Sequence, residues 1–263
     1  MFAFMDALAS LQDAIRDHLD CLGSRQFAVL DFDNTCIIND VAEAALAYLC
    51  RHQLLRRGDL LAPEVLPCDA IYHRRVFRRY YELLHWGDLR SASFLCAKVF
   101  AGFTSDEAAD VVAAAIDAQA SLPGRSELHG IPIACGLAVR PALRMLIDFL
   151  AATGVEVWIV SASPEVVVQT AMQRFGLAGN VIALRNSMHR SVIAMDLHAP
   201  YSIGAGKVDC IRAFIDAGKR PLLGVGDSVH DLLMIEYANI QAIVDCGNGL
   251  AHQARQRGWF ILE

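Results

Sequence analysis

The 263-residue chain contains no Cys-x-x-Cys, no His-Glu-x-x-His, no Gly-x-Gly-x-x-Gly and no Gly-x-x-x-x-Gly-Lys-Ser/Thr. Their absence removes the local signatures of a zinc or redox pair, a metalloprotease helix, a dinucleotide fold and an ATP-binding loop. Long apolar runs are missing too. Hydrophobic residues make up 55% of the chain, yet no stretch reaches the roughly 18 uncharged residues that a membrane span requires, so no membrane partner is expected. Positive charge is in short supply: 23 Lys and Arg stand against 29 Asp and Glu, for a net charge of -6. Such a surface repels a phosphate backbone, which argues against nucleic acid as a ligand. The eight cysteines (21, 36, 50, 68, 96, 135, 210 and 246) are scattered, as expected of reduced thiols in the cytoplasm. Met1 to Ala9 is apolar but holds Asp6 and no basic residue, so a secretory leader is not expected.

What is present is an alternation of strand and helix patterns. Phe27–Leu30, Val155–Val160, Pro221–Val225 and Ile240–Val244 read as short, fully buried strands of a parallel sheet. Helical periodicity marks Phe2–Leu22, with Leu8, Leu11, Ile15 and Leu19 on one face, then Arg140–Thr153 and Lys207–Ala217. This predicts an α/β fold with an open, Rossmann-like parallel sheet, whose ligands sit beyond the carboxyl ends of the strands. Residues 41–122 break the alternation: the stretch is helical throughout and rich in Ala, Leu, Tyr and Arg. We read residues 1–39 and 126–263 as core and 40–125 as an inserted helical cap, with Pro123-Gly124 and a loop to Gly136 as the hinge.

The chemistry-bearing residues stand at the predicted strand ends. The first strand runs into Asp31-Phe32-Asp33-Asn34-Thr35 and the second into Ser161-Ala162-Ser163-Pro164. The latter reads as an ordinary helix cap, or as a seat for phosphate on a helix N-terminus. Lys207 heads a helix after Gly204-Ala205-Gly206, and the third strand closes on Gly226-Asp227-Ser228-Val229-His230-Asp231. Acids gathered at one sheet edge repel one another unless a hard cation sits among them, and Mg2+ is the cofactor this pattern suggests.

Asp31-x-Asp33-x-Thr35, Ser161, Lys207 and Gly226-Asp227-x-x-x-Asp231, in that order, resemble the four motifs of the haloacid dehalogenase superfamily, in particular its phosphoserine-phosphatase-like branch. The resemblance implies a helical cap inserted after the first motif, and Mg2+ held by Asp31, the Asp33 backbone carbonyl and Asp227, with Asp231 supporting the metal's water shell. It makes Asp31 the nucleophile and Asp33 the general acid, then base. Thr35 and Ser161 would hold phosphate oxygens, and Lys207 would be the cationic clamp. A halide leaves without a proton, so a second carboxylate at Asp33 favours phosphate over carbon-halogen chemistry. Two alternatives stay open: transfer of the phosphoryl group to an acceptor alcohol, and a binding or regulatory module without turnover.

The cap segment bears on the substrate, expected to be a small phosphorylated metabolite. Asp40 falls where phosphoserine phosphatases carry an acid that receives the substrate amine; it equally reads as the cap of a helix beginning at Val41. Cys96 falls near the place of those enzymes' carboxylate-binding arginine, with Lys98 close by, and His230 stands where they usually carry Asn. Tyr72, Phe77, Tyr80, Tyr81 and Trp86 could cage an alkylammonium group or simply pack a helix. Arg74, Arg75, Arg78 and Arg79 could draw an anion or form a solvated face. Val160 to Pro164, with Ala162 on the substrate side, resembles bacterial phosphorylcholine phosphatases, so phosphocholine or phosphoethanolamine is the leading expectation.

Overall fold

A computed structural model describes residues 2–21, 25–61, 66–120, 122 and 124–263. Pro123, half of the expected hinge, and Leu22, the expected end of the first helix, lie outside them. The N-terminal helix α1 (Phe2–Cys21) buries Leu8, Leu11 and Ile15 and half-buries Leu19. Each fully buried aliphatic side chain contributes about 1.5–3 kcal/mol by leaving water, enough to hold an otherwise polar helix on the core. β1 (Phe27–Leu30) follows, then a tight turn at Phe32–Cys36 and the short β2 (Ile37–Ile38).

Four helices come next: α2 (Val41–Arg51), α3 (Ala70–His85), α4 (Leu89–Lys98) and α5 (Ser105–Ala120). Asp40, Asp69 and Asp88 each accept a backbone N–H three residues on, the N-cap geometry that starts α2, α3 and α4. The stretch expected to be a loop up to Gly136 is instead a hairpin, β3 (Arg125–Leu128) and β4 (Ile131–Ala134), turning at His129 and Gly130 with φ of 55° and 80°. Pro132 is tolerated because this ribbon has two strands only, and each is an edge. β5 (Ala138–Val139) then pairs antiparallel with β2. The segment between them therefore leaves and rejoins the core at one stem.

The remaining chain alternates as expected: α6 (Pro141–Ala152), β6 (Glu156–Pro164), α7 (Glu165–Phe175) and β7 (Asn180–Leu184). The hairpin of β8 (Asn186–His189) and β9 (Val192–Leu197) precedes α8 (Gly206–Phe214), β10 (Leu223–Gly226), α9 (Leu232–Tyr237), β11 (Ile240–Val244), α10 (Leu250–Arg257) and β12 (Phe260–Leu262). Six strands form one parallel sheet in the order β12-β11-β10-β1-β6-β7. Two of them, β7 and β12, are strands the sequence reading did not expect. Chain direction across the sheet reverses at β1, with β6 on one side and β10 on the other. That is the switch point where an open sheet leaves a crevice beyond its strand ends.

Candidate active site

Register sets the site. Leu30 lies opposite Ile159 of β6 and Val225 of β10, so Asp31, Ser161 and Asp227 emerge within a residue of the same level. The Asp31 amide donates to Val225 O at 2.9 Å, which extends the pairing one step past β1. The following turn bends through Asn34, whose φ of 58° is left-handed, a conformation Asn accepts more readily than most residues. Arg140 fixes it from outside: its Nε donates to Asn34 O at 3.1 Å and its main-chain N–H to Cys36 O at 3.0 Å. Sequence reading saw Arg140 only as a helix start.

Lys207 is the centre of charge. Its ammonium is buried and donates to Asp31 Oδ1 at 2.5 Å and Asp231 Oδ1 at 2.6 Å. Two glycines make this approach possible. A Cβ on Gly226 would lie 2.5 Å from the Asp231 Cβ, and one on Gly206 would lie 2.0 Å from Tyr201 O. Burial works against the ammonium, but Asp231 and Asp31 outweigh it and hold the Lys207 pKa above its ordinary value. Burial would also raise Asp231; Lys207, with hydrogen bonds from Ser228, holds it below the usual carboxylate range. Asp31 goes the other way: burial pushes it up to about 6 against the pull of Lys207. Asp227 reaches about 7, through burial and then the negative charges of Asp31 and Asp231. One lysine does not neutralise the carboxylates around it.

Thr35, expected to hold a phosphate oxygen, lies behind the cavity rather than on its lining. It is fully buried, and its hydroxyl is 3.1 Å from both Asp31 Oδ2 and Asp227 Oδ1. Its single proton serves one acceptor at a time, so it ties the two acids together. Asp33 is held at both oxygens: Val41 N donates to Oδ1 at 2.8 Å and Ser163 Oγ to Oδ2 at 2.6 Å. Burial and nearby Asp40 raise its carboxyl well above the usual range, opposed by those two bonds. Ser163, Ser202, which donates to Ser161 O at 2.6 Å, and Asn248, which donates to Asp227 O at 2.7 Å, were not anticipated as site residues.

The site opens on a cavity of about 160 Å³. Asp31, Asp33, Ser161, Ala162, Lys207 and Asp227 all face it, as do Asp231 and His230. Its far wall comes from α2, α3 and α4, including Asp40, Tyr80 and Cys96. Asp40 both caps α2, with Oδ1 2.8 Å from Glu43 N, and lines the cavity. Of the five aromatics singled out, Tyr80 alone borders it. Tyr72 and Phe77 are core, Tyr81 donates to Glu43, and Trp86 is 64% exposed. Lys98 joins Arg75, Arg78 and Arg79 in a separate groove of about 640 Å³ on the other face of α4.

The sequence pattern of the haloacid dehalogenase-like hydrolases matches residues 28–236, from β1 into α9. The chain is a haloacid dehalogenase-like hydrolase. No curated protein matches it. Among solved structures, this hydrolase is similar to a protein of unknown function from Bordetella pertussis Tohama I, with 18% identity and a TM-score of 0.70 over 91% of this chain and 99% of that one. A functionally unknown protein from Anaerococcus prevotii DSM 20548 matches with 20% identity and a TM-score of 0.65, over 91% and 85% of the two chains. A phosphoserine phosphatase bearing an analogue of its phospho-aspartyl intermediate matches with 14% identity and a TM-score of 0.53, over 91% and 93%. At these identities the likeness is one of fold. Among the described residues, no helix is long and apolar enough to cross a membrane.

Proposed function

We propose that this hydrolase is a Mg2+-dependent phosphatase of small, amine-bearing phosphomonoesters, with Asp31 as the nucleophile and residues 40–125 as its cap. The observation that carries the reading is the buried Lys207 ammonium bridging Asp31 and Asp231 beside Asp227, with Asp33 at the same cavity. Carboxylate oxygens of Asp31, Asp227 and Asp231 lie within 4.8 Å of one another, and all three residues are buried. That hard, anionic and under-neutralised donor set fits Mg2+. Asp31, the Asp33 carbonyl and Asp227 would hold it, with Asp231 in support. When bound, the ion screens the charge that builds up on a transferring phosphoryl group.

The residues divide the remaining work. The Asp31 carboxylate attacks phosphorus, displaces the alkoxide and becomes an acyl phosphate. Lys207 lowers the repulsion between the two anions, and Ser161 with the start of α7 receives phosphate oxygens. Asp33, whose carboxyl burial raises well above its ordinary range, gives the leaving alkoxide its proton and then takes one from the water that opens the acyl phosphate.

Substrate class rests on the far wall. Asp40 puts an acid there, and no arginine is among the described residues lining the cavity, so a substrate carboxylate would find no fork-shaped partner. Tyr80 adds an aromatic face. Phosphoethanolamine or phosphocholine meets these conditions better than phosphoserine. A phosphomonoester panel tests the reading: we expect turnover lost in chelator, restored by Mg2+, abolished by Asp31→Asn, and weakened selectively for amine-bearing esters by Asp40→Ala. Full activity after exhaustive chelation, or appreciable residual activity in Asp31→Asn, would overturn the mechanism. An equal loss on every ester in Asp40→Ala would overturn the substrate class.

A further inference from the structure

Ser163 is one of the cavity's buried side chains, 7% exposed, and the mechanism proposed above gives it no part. Its hydroxyl donates to Asp33 Oδ2 at 2.6 Å. We infer that Ser163 is a positioning residue, one that aims the Asp33 carboxyl at the leaving-group oxygen; the inference rests on the acid-base role proposed above for Asp33.

The local sequence builds this contact. Pro164 disfavours helical backbone at the residue before it, so Ser163 stays extended at the end of β6. Its main-chain N–H donates to Ser161 Oγ at 3.1 Å, which fixes its backbone to the residue beside the Asp31 level. From there the Ser163 hydroxyl reaches across to Asp33, 130 positions away in sequence. Asp33 Oδ1 meanwhile accepts the Val41 N–H at 2.8 Å.

The two donors differ in kind. A main-chain N–H can only donate, so Oδ1 is committed as an acceptor whatever the protonation of Asp33. A serine hydroxyl turns freely, and it can donate to Oδ2 in either state, because a protonated Oδ2 keeps a lone pair for it and leaves its own proton free for the leaving group. Ser163 can therefore stay bonded through both halves of the cycle, when Asp33 arrives protonated and when it leaves as carboxylate. With both oxygens tethered to different elements, rotation about the Asp33 carboxyl bond is stopped. With Ser163 removed, only the Val41 tether remains, and the carboxyl pivots about it.

The chemistry supplies a readout that a purely structural residue would not move. Leaving groups that depart as alkoxides need the acid's proton, whereas p-nitrophenolate leaves without one. General acid catalysis is worth about 10²–10⁴-fold, and an acid displaced by ~1 Å forfeits roughly 10²-fold. In Ser163→Ala, kcat/KM for an alkyl phosphate such as phosphoethanolamine should fall about 10- to 100-fold, while that for p-nitrophenyl phosphate changes by less than about threefold. Because Asp33 also activates the hydrolytic water, the variant should show a pre-steady-state burst of p-nitrophenol. The ratio of the two kcat/KM values, taken on one sample, is independent of the fraction correctly folded.

Asp33→Asn is the reference. It should show the same leaving-group discrimination, only larger. Equal losses on both substrates in Ser163→Ala, with discrimination intact in Asp33→Asn, would overturn the positioning role and assign Ser163 to phosphate binding or packing. Equal losses in Asp33→Asn itself would overturn the acid role beneath it.

Discussion

Lys207→Met removes one charge from the site while keeping nearly all of its stem. The two hydrogen bonds to Asp31 and Asp231 disappear, and both carboxylates stay buried without a counter-charge. Breaking a buried ion pair from one side costs about 3–5 kcal/mol. For a chain of this size, at ~2–4 °C per kcal/mol, that is a fall in Tm of about 6–20 °C. The cost depends on pH, and its sign follows from the acids left behind. Asp31 already stands at about 6 and Asp227 at about 7 through burial and mutual repulsion. Loss of Lys207 raises Asp31 further and turns Asp231 from depressed to raised. An acid whose folded pKa is raised carries no penalty below its unfolded pKa and the full penalty above its folded one. The variant's deficit is therefore greatest near pH 8 and shrinks as the solution is acidified through pH 6 towards 5. Thermal unfolding of both proteins in chelator, at pH 5.5 and pH 8, checks this. A deficit of equal size at the two pH values would refute the electrostatic account and make Lys207 a packing residue.

The same physics applies to Glu43, pushed up to about 7 by burial and then by Asp40, with its Tyr81 hydrogen bond opposing. Its penalty is absent below about pH 4.5, grows from there to 7 and is complete above, at most about 3 kcal/mol at 1.36 kcal/mol per pKa unit. Glu43→Gln should therefore stabilise the protein at pH 8 and leave it unchanged near pH 4.5, as read by urea unfolding; a gain of equal size at both would refute the assignment. Gly226→Ala forces a methyl to within 2.5 Å of the Asp231 Cβ and 2.8 Å of its Cγ, and should cost about 1–3 kcal/mol by overpacking. Turnover should fall with it as Asp231 is pushed off Lys207, and wild-type turnover at lowered Tm would separate that contact from catalysis.

Much of this was legible in the sequence because buried parallel strands are short apolar runs closed by polar residues. β1 and β11 match the predicted runs residue for residue, and the helical character of 41–122 is borne out by four helices, three of them started by an Asp cap. The strands that escaped have other physics. β12 is three residues long, and β7 alternates between buried and half-exposed positions at a sheet edge, so neither presents a continuous apolar run. The β8–β9 hairpin turns through Arg190 and Ser191 at φ of 49° and 66°, residues that carry no turn signal. In the site, residue types were readable but contacts were not. Thr35 faces two acids instead of the cavity, because the turn after Asp31 winds back beneath the strand end. Ser163, Ser202 and Asn248 act through partners 130, 41 and 21 positions distant, distances that no local pattern encodes.

The order of motifs along the chain looks arbitrary until the sheet order is set beside it. Asp31 follows the one strand flanked by both the Ser161 strand and the Asp227 strand. A residue at the end of β1 has both of those strands as direct neighbours. Had Asp31 ended β11 instead, Ser161 would lie three strands away, about 14 Å at the usual ~4.8 Å spacing. That is too far for one phosphoryl group to span. The acid pair of the first motif thus lies at the switch point, and the chain that leaves after it through the β2–β5 stem returns residues of α2, α3 and α4 to the far wall of the same cavity.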